Sequence, residues 1–410
     1  MRRQVSRTRT GLVGMTVVLT LVGACSRPAP APPLPPTSAP LATPVSAPAL
    51  AGRGQVVDAQ RATVPGTGDA QVVVYRSTNG TDGAPTQVSG VFVTPTGAPP
   101  AGGWPVIVYA HGTTGLPPEC GPTLNLGRVN DFGPVAMLAA KGYAVALIDY
   151  QGMGVAGRQQ GATAADPTIP YLEPRSAAYD VIDAVRAMQH LHPGQVSSRW
   201  AVAGHSQGGQ AAWAAAELAP TYGTGLTLVA AMSQAPVLDL RTLGYDDGRI
   251  DNDQAWFLPT LITGVADSRP EMNRWNYLRG SVRANLPTLI NWCDPAVKAK
   301  QTAVESAMTH QELLPATRRD AELLQTALTQ YSLPQRRIAV PVYVAQGSKD
   351  PLVLPQSTRT AVRQACALGD RVHLTVLVGK GHDIGGDMGG YDWLYDRFAG
   401  KPDDAVCSAG

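Results

Sequence analysis

The sequence carries little net charge and few aromatic residues. Its formal net charge is +2, and several of the arginines that contribute to it lie in the first ten residues. Because no basic stripe and no alternation of basic with aromatic residues follows, the chain lacks the pattern of a nucleic-acid-binding protein. Aromatic residues amount to only 6%, whereas the 43 glycines and 35 prolines are typical of a loop-rich enzyme or of a chain with a flexible linker.

Length and hydrophobicity set the scale of the fold. The chain has 410 residues, of which 44% are hydrophobic and 16% charged. This is enough to bury a sizeable core. We expect one large domain with insertions, or two domains.

Residues 1–24 have the pattern of an export signal. A basic segment, residues 1–10, precedes the apolar segment GLVGMTVVLTLVGA, which is too short to span a bilayer comfortably. Residues 21–24, Leu-Val-Gly-Ala, resemble a bacterial lipobox before Cys25. We therefore expect a bacterial protein that is exported and held at the cell membrane by a diacylglyceryl group on Cys25. The alternative is an ordinary secretory signal, and the Arg2-Arg3 pair also permits a twin-arginine route.

Residues 25–50 predict a tether. After Cys25 this segment consists almost entirely of Pro, Ala, Ser, Thr and Leu. Since it has no apolar periodicity to bury, it should be extended and partly polyproline-like, holding a globular domain off a surface. We expect a catalytic core formed by residues 51–240 and 338–410, interrupted by a cap or lid subdomain at residues 241–337.

Strand-like and helix-like segments alternate through the predicted core. Two early segments, AQVVVYRST and QVSGVFVTP, predict an antiparallel entry to a sheet. Later strands such as WPVIVYA and YAVALI are apolar throughout, which is typical of parallel strands covered on both faces. The sequence therefore predicts an α/β fold with a mostly parallel sheet and helices on both sides. Such sheets place their chemistry at the carboxyl ends of the strands.

Ser206 is the candidate nucleophile. It follows the strand-like segment WAVAGH, precedes an alanine-rich helix, and lies between Gly204 and Gly208 in the G-x-S-x-G spacing. This spacing lets strand and helix approach closely around a strained, exposed serine, with the helix N-terminus directed at the place where an oxyanion would develop. The alternative is a serine that merely caps the helix in a glycine-rich turn.

A serine hydroxyl needs a base and an orienting acid before it can act as a nucleophile. Asp350 follows the predicted strand VPVYVAQG, and His382 follows the next one, VHLTVLVG. The chain order Ser, Asp, His is the α/β-hydrolase order. Asp383 and Asp387 remain alternative acids, although residues so close in sequence to the histidine rarely reach triad geometry.

The segment YAHGTTG follows the first predicted parallel strand, where these folds build half of an oxyanion hole. We expect the backbone N–H groups of Thr113 and of Gln207, the residue after the nucleophile, to be the donors. The hydroxyl of Thr113 or Thr114 could add a third bond. The alternative is a glycine-rich loop required only for packing.

About ninety residues between Leu240 and Ile338 break the alternation of strands and helices. A connection of this length predicts a subdomain. Its large apolar side chains favour a cap that shapes an apolar pocket over the site. A helical decoration remote from the site is the alternative.

The motifs GHSQGG and HGTTG, the late Asp350 and His382, and the insertion before the last strands resemble the secretory lipase family of α/β-hydrolases. The resemblance covers roughly residues 55–408. It implies an α/β-hydrolase fold and hydrolysis of acyl esters, from short soluble esters to triacylglycerols, without a metal or cofactor. Fungal members place an acidic side chain in the first oxyanion loop, where this chain has Thr113 and Thr114. This departure weakens the expectation that triacylglycerols are substrates more than it weakens the expectation of ester hydrolysis.

Four cysteines remain beyond the predicted lipidation site. In an exported protein they should form two disulfides, for which three connectivities exist. The family resemblance implies the pairs Cys120–Cys293 and Cys366–Cys407. The alternative is four buried thiols.

The sequence therefore predicts a serine hydrolase that cleaves carboxylic esters, a lipase or an esterase. Its expected partners are an acyl ester or lipid substrate and, through the anchor, a membrane, and we expect a monomer. Three other functions are compatible with the same residues. The triad could serve acyl transfer or peptide cleavage, or the protein could be a non-catalytic binding lipoprotein at the cell surface.

Overall fold

The computed structural model describes residues 44–127, 132–163, 165–243, 245–246, 249–250, 254–384, 387–403 and 407. The predicted export signal, Cys25 and most of the tether lie outside the described residues. Within the part of the chain that is described, no helix is both long enough and apolar enough to cross a membrane.

The strands are β1 (Val56–Ala62), β2 (Asp69–Thr78), β3 (Pro85–Thr94), β4 (Trp104–Ala110), β5 (Ala144–Ile148), β6 (Val196–His205), β7 (Thr227–Gln234), β8 (Tyr245–Asp246), β9 (Arg249–Ile250), β10 (Val342–Gly347) and β11 (Val372–Leu377). The helices are α1 (Ala47–Gly52), α2 (Phe132–Ala140), α3 (Gly154–Gln159), α4 (Pro174–Leu191), α5 (Gln207–Tyr222), α6 (Leu258–Asp267), α7 (Gly280–Ala284), α8 (Leu286–Leu289), α9 (Lys298–Ala307), α10 (His310–Leu313), α11 (Arg318–Tyr331), α12 (Pro355–Ala367) and α13 (Met388–Phe398).

Nine strands of the described chain form one sheet, in the order β1-β2-β3-β5-β4-β6-β7-β10-β11. The pairs from β1 to β3, and β3 with β5, are antiparallel, and every following pair is parallel. The predicted parallel sheet with an antiparallel entry is confirmed. Strand β1 was not predicted, because polar and apolar residues mix in it without a clear period.

The side chains of β4 show why the central strands are apolar throughout. Val106 and Val108 belong to the core beneath α4 and α5, whereas Ile107 and Tyr109 belong to the core beneath α2 and α13. Successive side chains of a strand point to opposite faces, so a strand covered on both faces has no polar side. The carboxyl ends of these strands consequently form a rigid edge on which a site can be built.

Helix α4 begins at a residue that caps it. The Glu173 carboxylate accepts the N–H groups of Arg175 and Ser176, and Pro174 occupies the first turn. Such a start satisfies donors that the helix itself leaves unpaired. One face of α4 is fully buried in the core, and its members are Val181, Ile182, Val185 and Met188.

The folded region begins slightly before the predicted end of the tether. Helix α1 starts at Ala47, because the Ser46 hydroxyl accepts the N–H of Ala49 and a proline occupies its first turn. Ala49 is buried. The boundary predicted between residues 50 and 51 therefore falls inside a helix. The composition, rich in Pro and Ala, did not indicate this helix.

The segment between β7 and β10 contains helices α6 to α11 and the short β8–β9 hairpin within its described residues. Its apolar side chains pack into the same core as α4 and α5, and those that are completely buried include Leu261, Tyr277, Val282 and Leu289. This is the segment predicted as a cap at residues 241–337. Its role as a cap stays a prediction.

Candidate active site

Ser206 occupies the sharp turn between β6 and α5. Its backbone has φ 57° and ψ −114°, a region that residues with a side chain rarely adopt. A Cβ on Gly204 would lie 2.2 Å from the carbonyl oxygen of Gly208, and a Cβ on Gly208 would lie 1.8 Å from that of Ala110. The two glycines are therefore required for the close approach of backbone segments that holds the serine in this strained conformation.

The three predicted triad residues meet in space. The Nε2 atom of His382 lies 2.8 Å from the Oγ of Ser206, and its Nδ1 lies 2.8 Å from the Oδ2 of Asp350. Asp350 follows β10 and His382 follows β11, and these strands are parallel neighbours. Their loops consequently emerge side by side at the sheet edge where β6 ends at the serine.

The surroundings of Asp350 keep its carboxylate ionised. One oxygen accepts the N–H groups of Leu352 and Val353, each at 2.9 Å, and the other accepts the Gln346 amide at 3.0 Å. Burial by itself would raise the pKa of Asp350. The hydrogen bond from His382, the charge of that imidazole and the two backbone N–H groups nevertheless hold the pKa below its ordinary value.

The two alternative acids do not take this position in the structure. Asp383 is exposed. Asp387 hydrogen-bonds Tyr343. The carboxylate seen at 2.8 Å from the imidazole Nδ1 is that of Asp350.

The loop after β4 is held so that one N–H group is turned outward. The Tyr150 hydroxyl donates to the His111 carbonyl at 2.8 Å, and the His111 Nδ1–H donates to the Gly112 carbonyl at 2.6 Å. Burial lowers the pKa of His111 to about 4, so the ring is neutral. Because C=O and N–H point in opposite directions across a trans peptide, the Thr113 N–H faces away from His111.

Both predicted backbone donors are free. Within the described part of the chain, no hydrogen bond engages the N–H of Thr113 or that of Gln207, the first residue of α5. Helix N-termini leave such donors unpaired. A nucleophilic hydroxyl with a base at one side and free N–H groups near it can attack a carbonyl carbon and stabilise the resulting oxyanion.

The two threonine hydroxyls of this loop have different partners. The Thr114 hydroxyl donates to the Cys120 carbonyl at 2.9 Å, so its proton is not available as oxyanion support in this structure. The Thr113 hydroxyl instead lies 2.5 Å from the hydroxyl of Tyr171. Because the Tyr171 hydroxyl can itself be the donor in this contact, Thr113 stays the candidate for a third bond.

The described cysteines form the two disulfides that the family resemblance implies. Cys120 is bonded to Cys293, and Cys366 to Cys407. The first bond ties the loop after β4 to the predicted cap. A backbone hydrogen bond from Leu116 to the Ile290 carbonyl, at 3.0 Å, joins the same two segments.

His205, the residue before the candidate nucleophile, hydrogen-bonds the backbone of His382. Its Nε2–H donates to the carbonyl of His382 at 2.9 Å. Burial, followed by the charge of the neighbouring His382, lowers the pKa of His205, so the ring is neutral and keeps a single N–H. Neither this bond nor the one from His111 was found from the sequence. The sequence offered one signal for these bonds: each histidine directly precedes the glycine or the serine of a motif.

Aromatic rings from the predicted cap lie close to the loop after β4. Trp256 packs 5.3 Å from Trp292 and 5.8 Å from Phe257, measured between ring centroids, and Phe257 lies 6.1 Å from Tyr171. Both tryptophans are half-buried. Together these rings provide apolar contact area beside the site.

The chain is similar to a protein family and to a known enzyme sequence. The profile of the secretory lipase family matches residues 129–405. A probable trichothecene esterase of Stachybotrys chartarum is 31% identical over 148 residues, which are 36% of this chain and only 27% of that relative.

Two solved structures show the same fold. Lipase A of Candida antarctica in its closed state has a TM-score of 0.67 at 16% identity, over 91% of this chain and 89% of that one. A rice cell wall degrading esterase of Xanthomonas oryzae has a TM-score of 0.64 at 19% identity, over 85% and 96%. At these identities the likeness establishes the fold alone, and the predicted α/β-hydrolase fold class is confirmed.

Proposed function

The chain belongs to the secretory lipase family, and from this premise we propose that it is a carboxylic ester hydrolase, a lipase or an esterase, with Ser206 as its nucleophile. The observation that carries the proposal is the line of hydrogen bonds from Ser206 through His382 to Asp350, with 2.8 Å at each step. The two free N–H groups near the serine support it further, because they are what an acyl-transfer site needs.

In the proposed first half-reaction, His382 Nε2 accepts the proton of Ser206 as its Oγ attacks the ester carbonyl carbon. The negative charge that develops on the carbonyl oxygen is stabilised by the N–H groups of Gln207 and Thr113, a contribution commonly about 3 to 4 kcal/mol per donor. Asp350 holds the imidazole with Nδ1–H towards itself and stabilises the cation. The alcohol then leaves with the proton from Nε2, and an acyl-enzyme remains.

Water completes the proposed cycle. His382 Nε2 takes a proton from the water, whose oxygen attacks the acyl carbon and forms a second tetrahedral oxyanion in the same hole. The Ser206 oxygen is the leaving group and regains its proton from the imidazolium. The carboxylic acid product departs, and the enzyme returns to its starting state.

The ring cluster of Tyr171, Trp256, Phe257 and Trp292 supports a substrate with an apolar acyl or alcohol part. These rings belong to or contact residues 241–337, for which we propose the role of a cap on the core formed by residues 51–240 and 338–410. Apolar walls with a few polar groups are typical of small-molecule sites.

The function is tested by labelling with a fluorophosphonate, which reacts with an activated serine. We expect one phosphonyl group per chain, located on the Ser206 peptide by mass spectrometry, and loss of p-nitrophenyl ester hydrolysis in proportion to labelling. The assay series should run from acetate to palmitate esters and to a triacylglycerol emulsion.

Two further substrates separate the remaining functions. An anilide substrate tests peptide cleavage, and an added alcohol acceptor tests acyl transfer. Anilide cleavage, or transfer exceeding hydrolysis in dilute alcohol, would replace the hydrolase assignment. A chain that neither reacts with the phosphonate nor turns over any ester would be the non-catalytic binding lipoprotein.

We also propose that the protein is exported and anchored through a diacylglyceryl group on Cys25. The support is the basic and apolar pattern of residues 1–24 and the tether that follows, together with the secretory family. Two acyl chains suffice for stable membrane attachment. Expressed in a bacterium, the wild type should sediment with membranes, and Cys25→Ala should not. An unchanged distribution would exclude the anchor.

A further inference from the structure

We propose that Tyr171 is a positioning residue which makes the hydroxyl of Thr113 a third donor to the oxyanion. The inference rests on the proposed function and concerns the same site. It assigns a role to a residue outside the triad and outside the recognised motifs.

The contact between the two hydroxyls carries the inference. The Thr113 Oγ1 lies 2.5 Å from the Tyr171 hydroxyl oxygen. Tyr171 is only 1% exposed, and within the described residues Thr113 is the hydrogen-bond partner of its hydroxyl. A buried hydroxyl without an acceptor would cost free energy, so the Tyr171 proton is directed to the Thr113 oxygen.

The direction of this bond frees the other proton. When Thr113 accepts from Tyr171, its own O–H has to find another acceptor, and the structure supplies none among the described residues. Thr113 is half-buried, and a Cβ on the preceding Gly112 would lie 3.8 Å from the Cβ of Ser206. Thr113 directly follows this glycine, and in this proposal its free O–H lies where the substrate oxygen becomes negative.

Tyr171 is suited to be the first member of a two-hydroxyl chain. Burial raises the pKa of its phenol well above the ordinary value, so that it remains protonated and can donate at neutral pH. A hydroxyl that accepts one hydrogen bond becomes a stronger donor for the next. Thr113 is consequently polarised towards the oxyanion by the phenol behind it.

The predicted cap holds Tyr171 in place. Helix α6 approaches so closely that a Cβ on Gly264 would lie 2.1 Å from the Cβ of Tyr171. The following residue, Leu172, has a positive φ of 58°, which turns the backbone sharply after the tyrosine. The Phe257 ring lies 6.1 Å away on the same side. The position of the third donor is thus coupled to the cap.

The test is a double-mutant cycle with Thr113→Val, which is nearly isosteric and keeps the backbone N–H, and Tyr171→Phe, which keeps the ring against Gly264. We expect Thr113→Val to lower kcat about 100-fold and Tyr171→Phe about 10-fold, with KM changed less than about threefold in each. Because Tyr171 acts through Thr113, the double variant should be no slower than Thr113→Val alone. Thr113→Ser should recover most of the kcat lost in Thr113→Val.

A matched control separates this role from simple loss of stability. Tyr277 is also a buried tyrosine of the same core, and its hydroxyl donates to the Asp320 carbonyl at 2.8 Å. Tyr277→Phe should lower the melting temperature as Tyr171→Phe does, while leaving kcat near the wild-type value. The rate of fluorophosphonate inactivation should fall with kcat in the Thr113 and Tyr171 variants only, because the phosphoryl oxygen occupies the oxyanion position.

Multiplicative effects in the double variant, or an unchanged kcat in Thr113→Val, would overturn the inference. Neither outcome affects the proposed function, because that function fails only if Ser206 is not labelled or not needed.

Discussion

Ser206→Ala should lower kcat for ester hydrolysis by about 10⁶-fold, the full effect of removing a triad whose members act as a unit. The variant loses the atom that His382 deprotonates across 2.8 Å. The fold should persist, because alanine retains the Cβ and Ser206 makes its structural bonds through the backbone. Its N–H donates to the Gln234 carbonyl at 2.8 Å, and its carbonyl accepts the Gln210 N–H at 3.1 Å.

Ser233→Ala is the control for this prediction. Ser233 lies opposite Gly204 on the neighbouring strand, is fully buried, and donates its hydroxyl to the Gly209 carbonyl at 3.0 Å. It is a serine of the same environment that is outside the triad, so its variant should retain kcat within a few-fold. Steady-state assays on a soluble ester, with circular dichroism and thermal unfolding of both variants, make the comparison. Residual turnover of more than a few per cent in Ser206→Ala would mean that another residue is the nucleophile.

Local patterns predicted the parts of the site that depend on neighbours in sequence. Gly204 lies too close to the Gly208 carbonyl, and Gly208 too close to the Ala110 carbonyl, to leave room for a side chain. Both positions therefore require glycine. The strand before Asp350 could be identified because it is buried on both faces and therefore almost entirely apolar. The edge strand before His382 could be identified because apolar residues alternate with His373 and Thr375. Their proximity followed from the rule that parallel strands end at one edge of a sheet.

Contacts between distant segments could not be predicted from the same patterns. Tyr171 reaches Thr113 across 58 positions, and His205 reaches the His382 carbonyl across 177. Nothing in the composition around Tyr171 distinguishes it from an ordinary core tyrosine. The position of β5 between β3 and β4 could not be predicted either, because strand order depends on how the crossover helices pack and not on any one strand.

The predicted cap is an intermediate case. Its length and its large apolar side chains indicated a separate subdomain, whereas the manner of its attachment depended on single residues. Gly264 allows α6 to lie directly on Tyr171, and the Cys120–Cys293 bond attaches the predicted cap to the loop after β4. A glycine within an apolar helix and a cysteine in a loop each occur in many structural settings, so neither residue by itself indicates these contacts.

Asp350→Asn should lower kcat by about 10⁴-fold, and the hydrogen bonds of this carboxylate explain why an isosteric change costs so much. One oxygen of Asp350 accepts two backbone N–H groups, those of Leu352 and Val353. An asparagine keeps its oxygen there, because its NH₂ would face two backbone donors, whereas on the other side it faces the Gln346 amide and an imidazole that can change its tautomer. The NH₂ group then points at His382 and makes Nδ1 an acceptor, so the proton moves to Nε2. An imidazole protonated at Nε2 cannot accept the proton of Ser206.

The alternative acid provides the control for this last prediction. Asp383 is exposed and directly follows the histidine in sequence, so Asp383→Asn changes the same charge near His382 without changing its tautomer. We expect it to keep kcat within a few-fold, while Asp350→Asn is slow at every pH from 5 to 9 because the defect is one of proton position and not of titration. If Asp350→Asn remained within tenfold of the wild type and Asp383→Asn lost activity, the orienting acid would be Asp383. The carboxylate seen on the imidazole would then belong to a resting arrangement that rearranges before chemistry.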